Sequence, residues 1–175
     1  MDWEKKYSSA GMKLEIGSGE YPRATEYGFY HSDIRNPMPH QELCFSLLDL
    51  PFKDNSWDCI AIMHTLEHIS WMKIQEVLME LKRVMKVGGL LSMVVPNLCW
   101  CAFELIKTTE INDDNIKDVE TYMNDIYGLH IHPENNHLMG FTPEYMQYLL
   151  SKSGFSIVSM PRDRYNGNIE AWAIK

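Results

Sequence analysis

Long apolar runs are missing from this sequence. No stretch approaches the ~20 uncharged residues that span a bilayer, so no membrane partner is expected. The opening Met1-Asp2-Trp3-Glu4-Lys5-Lys6 has no apolar h-region, which argues against a signal peptide. The four cysteines, Cys44, Cys59, Cys99 and Cys101, contain no Cys-x-x-Cys pair, and Cys59 falls inside an apolar run. Zinc held by cysteine alone is not expected, and a reducing, cytoplasmic setting fits. Basic residues are also few: 16 Lys and Arg against 24 Asp and Glu give a net charge of −8. The only basic cluster, Lys82-Arg83 with Lys86, sits in a helical pattern and reads as a solvated helix face. Nucleic acid is therefore not an expected partner. No repeat, low-complexity segment or second domain is visible, and nothing in the sequence reports an oligomeric state. A chain of 175 residues, 45% hydrophobic, makes one domain over 1–175 that needs no staple to fold.

What is present is an alternation of strand and helix signals. Residues 12–16 read as a strand stopped by Gly17-Ser18-Gly19, and 28–32 as a second strand ending at Asp33. A weaker third runs from Glu42 to Leu48 and ends at Asp49, and 57–63 form a buried fourth. Ile74, Val77, Leu78, Leu81, Val84 and Met85 recur at helical spacing, with Gly88-Gly89 as the stop. Residues 90–95 give a strand closed by Pro96, and 98–127 give helices broken near Asn112-Asp113-Asp114. Thr142 caps a helix that starts at Pro143 and runs to about Ser153. Two strands, 155–160 and 169–174, end the chain. Their connection is too short for a parallel crossover, so they pair antiparallel. The expected fold class is α/β: a Rossmann-like three-layer sandwich around a mostly parallel sheet.

In such a sheet ligands bind beyond the carboxyl ends of the strands, where the strand order switches. Glu15 with its glycine turn, Asp33, Asp49 and the stretch His64 to His68 all fall at strand ends. The glycines let backbone approach a ligand closely. A carboxylate after the second strand suits vicinal ribose hydroxyls, and one after the third suits an adenine amino group.

With these residues in view, the sequence resembles the class I methyltransferases, in particular their short type-11-like group. The resemblance rests on Asp49-Leu50-Pro51-Phe52-Lys53-Asp54-Asn55-Ser56-Trp57-Asp58, on Leu66-Glu67-His68-Ile69 after the fourth strand, and on Leu81 to Gly89. His137-Leu138-Met139-Gly140-Phe141-Thr142 and Gly154-Phe155 extend it over nearly the whole chain. It implies a seven-stranded sheet with an antiparallel last hairpin and S-adenosyl-L-methionine as cofactor, leaving S-adenosyl-L-homocysteine as product. It places Glu15, Gly17, Ser18 and Gly19 around the methionine part, Asp33 with Ile34 at the ribose, Asp49 and Leu50 at the adenine, and His64 near the sulfonium. Two departures stand out. Glu20-Tyr21-Pro22 replaces a third glycine, and the span from Gly19 to Asp33 leaves little room for a first helix.

The implied reaction is methyl transfer to an O, N or C atom of a small-molecule acceptor, bound by an insertion over 97–141. His137 and His68 are the candidate bases. A His130, His132 and His137 metal cluster is weighed and set aside, since the segment is rich in Pro and Asn and methyl transfer needs no metal. Trp100 with Phe103 and Tyr145 with Leu149 read as core pairs. Two readings compete: a catalytically degenerate fold that binds cofactor or a partner, and a nicotinamide-dependent oxidoreductase. The second expects GxGxxG opening a proper helix, which Pro22 opposes.

Overall fold

The computed structural model describes residues 11–22, 27–35, 37–38, 40–160 and 167–175. Seven strands form one sheet: β1 (Lys13–Ile16), β2 (Tyr30–Asp33), β3 (Leu43–Cys44), β4 (Trp57–Met63), β5 (Met85–Pro96), β6 (Ser156–Ser159) and β7 (Asn168–Ile174). Their spatial order is β3-β2-β1-β4-β5-β7-β6. The first five run parallel, and β7 is antiparallel to both β5 and β6. The closing hairpin is thus antiparallel as expected, but the reversal belongs to β7 alone. Winding turns back between β1 and β4, which makes their carboxyl ends the switch point where a ligand crevice forms.

Side-chain alternation divides the core in two. Ile60 and Ile62 of β4 enter a large cluster with Leu14, Ile16, Leu91 and Met93, while Cys59 and Ala61 face a smaller one with Phe29 and Leu90. Helix α1 (Ile74–Val84) covers the large cluster with Ile74, Val77, Leu78, Leu81 and Val84. Helix α4 (Pro143–Lys152) adds Met146, Leu149 and Leu150, and the Thr142 hydroxyl accepts the Tyr145 N–H at 3.2 Å as its cap.

Several boundaries differ from the sequence reading. Helix α1 ends at Val84, before Gly88-Gly89, and β5 starts at once with Met85 opposite Trp57. The glycines instead form a bulge in β5, since Cys59 next pairs with Leu90. Gly88 has φ 75°, and a Cβ on Gly89 would lie 2.8 Å from the Lys86 carbonyl oxygen. Strand β3 is only Leu43–Cys44, because the chain turns at Ser46, whose carbonyl accepts the Asp49 N–H and whose hydroxyl accepts the Leu48 N–H. In the first crossover, residues 23–26 lie outside the described residues, and the described ones form no α-helix.

Helices α2 (Leu98–Lys107) and α3 (Ile116–Tyr127) lie within the 97–141 segment and pack on each other. Among their described residues only Cys101 is buried, and Phe103 is 40% exposed. Trp100 and Phe103 are therefore not core residues, whereas Leu149 is. The basic cluster is also more than a solvated face. Arg83 donates to the Leu50 and Phe52 carbonyls and pairs with Asp54 and Glu80, while Lys86 pairs with Asp58. No helix among the described residues is long and apolar enough to cross a membrane.

Candidate active site

The turn after β1 folds back on β2: the Gly17 and Ser18 N–H groups both donate to the Ser32 carbonyl, at 2.8 and 2.9 Å. Gly17 and Gly19 have φ 72° and 60°, the left-handed region that L side chains avoid. A Cβ on Gly17 would also collide with the Thr65 side chain at the end of β4. Ser18 is buried, and its hydroxyl has no hydrogen-bond partner among the described residues. That orphaned donor and acceptor is the kind of group a polar ligand satisfies. Glu15 is 1% exposed and accepts from His31 Nδ1 at 2.9 Å. The two face each other across the β1–β2 pairing. His31 escaped the sequence reading because only the strand register brings it to Glu15.

Asp33 is buried at the end of β2 and its carboxylate is saturated. It accepts from the Gly19 N–H at 2.9 Å, the Arg35 N–H at 2.9 Å and Arg35 Nε at 3.1 Å. Burial alone would raise its pKa, but the hydrogen bonds from Arg35 and Gly19 together outweigh it and hold the group below the ordinary 3.8. Arg35 also donates to His132 Nε2 at 2.9 Å. A guanidinium only donates, so this nitrogen of His132 accepts, and Nδ1–H is left to donate to Glu134 at 3.1 Å. The relay Glu134–His132–Arg35–Asp33 ties the 97–141 segment to the glycine turn. No motif marked Arg35 or His132 for this role. Ile34, next to Asp33, is 57% exposed and offers an apolar face there.

Asp49 is exposed and lies five residues beyond the end of β3. Leu50 is 3% exposed and belongs to the large core cluster. Phe52 packs edge-on against both Phe45 and Trp57, with ring centroids 5.1 and 5.0 Å apart. The Asp49-Leu50-Pro51-Phe52 segment is thus held from inside by its apolar residues and from outside by Arg83.

Beyond β4 the structure gathers residues from two distant parts of the chain. His64 has φ 52°, a strained conformation for a side chain of its size. Its Nδ1 lies 3.5 Å from Glu67 Oε1. Residues 66–68 form a 3₁₀ turn, and the Glu67 carbonyl accepts the Leu138 and Met139 N–H groups, docking the end of the 97–141 segment. His137 therefore stacks edge-on against His68, with ring centroids 4.8 Å apart. His68 Nδ1–H donates to the Asn136 carbonyl and His137 Nδ1–H to the Asp125 carbonyl, at 3.2 and 2.9 Å. Burial lowers the His137 pKa, so the ring is neutral near pH 7 with its lone pair on Nε2. Asp125 is pushed up by burial. His130 is exposed, and His132 points to Arg35, so the three histidines of 130–137 do not converge.

Residues 15–93 match the family profile described as a methyltransferase domain. A solved S-adenosylmethionine-dependent methyltransferase from Archaeoglobus fulgidus superposes with TM-score 0.69 over 99% of this chain and 90% of its own, at 15% identity. The fold is that of the class I methyltransferases. A 1,6-didemethyltoxoflavin-N1-methyltransferase from Burkholderia thailandensis, solved with its acceptor and S-adenosylhomocysteine, has TM-score 0.63 at 15% identity, covering 95% of this chain and 71% of its own. In sequence, an uncharacterised protein of Methanocaldococcus jannaschii is 33% identical in an alignment 108 residues long that covers 54% of this chain. That match spans 45% of the relative's length. The class I order, with antiparallel β7 between β5 and β6, departs from the all-parallel dinucleotide-binding order that the oxidoreductase reading requires.

Proposed function

We propose that this protein is an S-adenosylmethionine-dependent methyltransferase with a small-molecule acceptor. One observation carries the reading: the glycine turn, with its buried orphaned Ser18 hydroxyl, and the Asp33 carboxylate meet at the switch point of a class I methyltransferase sheet. When bound, the cofactor supplies a methyl group already activated on a sulfonium. Glu15, Gly17, Ser18 and Gly19 hold the methionine end. Asp33 accepts the ribose hydroxyls beside the apolar Ile34. Asp49 serves the adenine amino group, with buried Leu50 anchoring that turn, and His64 lines the reacting end. Because Arg35 occupies Asp33, it must swing away for the ribose to bind, and the His132 contact then breaks with it.

The insertion 97–141 serves the acceptor. Val119, Met123, Tyr127 and Leu129 form a shallow, solvent-open apolar groove, the surface on which an acceptor would lie. The acceptor's proton passes to Nε2 of His137 or His68, the ring nitrogens that the carbonyl hydrogen bonds leave unprotonated. Four free cysteines support work in the reducing cytoplasm. The saturation of Asp33 by Arg35 favours one second reading, a module that has lost turnover. Calorimetry with S-adenosylmethionine, followed by labelled-methyl transfer over a panel of small acceptors, separates the two. Absence of cofactor binding overturns both readings, and binding without any transfer leaves the second.

A further inference from the structure

We propose that Glu67, His68 and His137 bind one divalent transition-metal ion of the zinc class. Their donor atoms all lie within 4.8 Å of one another. Two histidines and one carboxylate form a ligand set that zinc and iron(II) sites use with positions left open for water or substrate. Three ligands about 2.1 Å from one ion in tetrahedral geometry stand about 3.4 Å apart, so closing the site takes a shift of up to about 1 Å per side chain.

Three features separate this cluster from a chance grouping of polar groups. Glu67 is 2% exposed, and both carboxylate oxygens are buried without a hydrogen-bond partner among the described residues. A bare buried carboxylate is costly, and a bound cation removes that cost. Its ion-pair partner within 4 Å among the described residues is His64 alone, at a long 3.5 Å, with no lysine or arginine paired to it. Next, both histidines spend Nδ1–H on a backbone carbonyl, which fixes the tautomer and presents Nε2 as a lone pair. Metal-bound histidines are oriented in this way. Last, the Asp125 side chain lies close enough to feel Glu67, His64 and His137, adding a second acid to a region that is short of cations.

The cluster needs the tertiary fold. Glu67 and His68 sit next to each other, but His137 arrives only because the insertion docks on the Glu67 carbonyl. The His-rich segment 130–137 thus contributes one ligand instead of a site of its own. The proposal goes beyond methyl transfer and does not rest on it, since metal binding is measured on the full chain without cofactor. With the ion bound both Nε2 lone pairs are taken up as ligands, so the base role of His137 or His68 belongs to the metal-free chain.

The test uses protein stripped with a chelator and titrated with Zn²⁺ by calorimetry, with Co²⁺ as a visible-absorption probe of nitrogen and oxygen ligation. One saturable equivalent per chain is expected. Glu67→Gln and His137→Gln should each weaken it by about tenfold or more, and His40→Asn, at an exposed histidine, should leave it unchanged. Glu67→Gln should also raise the metal-free melting temperature while abolishing the Zn²⁺-dependent rise. If that variant does not fold, His68→Gln and His137→Gln carry the test. Failure of the wild type to take up a saturable equivalent, or uptake that survives both histidine substitutions, overturns the site.

Discussion

In the proposed cofactor site, Asp33 accepts the ribose hydroxyls and Arg35 competes for it. Asp33→Ala should weaken S-adenosylmethionine binding by about tenfold or more in calorimetry, because a buried acceptor for the ribose hydroxyls is lost. Arg35→Ala should tighten it, since the competing guanidinium is gone. Equal affinities in the wild type and both variants would remove Asp33 from the ribose site. At Gly17 the expectation concerns stability. An alanine there incurs about 1–2 kcal/mol for the left-handed backbone, before counting the collision with Thr65. Urea denaturation should show a lower midpoint with an unchanged slope.

Helices and turns depend on single contacts that the sequence showed unequally. The cap at Thr142 was legible, since the hydroxyl, Pro143 and the apolar spacing of α4 lie within a few residues. Thr142→Ala should cost about 1 kcal/mol in chemical denaturation. The end of α1 was misread, because the helix and β5 share one apolar pattern and Gly88-Gly89 serves a bulge instead of a cap. Strand β3 was overextended for a related reason: Phe45 and Leu47 are apolar but turn inward instead of pairing. Arg83, read as a surface charge, holds the 50–54 turn. Arg83→Met should raise hydrogen exchange at Asp54 and Asn55 while leaving α4 protected, and uniform exchange across the chain would contradict this.

Across the whole molecule, three carboxylates respond to acid together. Asp33 is held low by the Arg35 and Gly19 hydrogen bonds against its burial, Asp58 by Lys86, and Glu80 by Arg83. Each has a folded pKa below its unfolded one. Their stabilising effect is therefore present above the ordinary values of 3.8 and 4.5 and is lost as pH falls through the lower folded values. Urea midpoints should fall below about pH 5 as these carboxylates protonate, after an earlier decline below the ordinary histidine value of 6.5 from His137, which Asp125, shifted up, partly offsets. Asp58→Asn should lower the neutral-pH midpoint and make that fall shallower. Local periodicity and turn chemistry were enough to determine the strand and helix alternation, the antiparallel last hairpin, the glycine turn and the acid after β2. These depend on which neighbouring residues are buried, a property carried by a few consecutive positions. Only the tertiary structure decided that His31 meets Glu15, that His132 reaches Arg35, and that His137 reaches Glu67 and His68. Those contacts depend on strand register and on how the 97–141 segment docks on residues 64–68, and both are set by packing between segments far apart in the chain.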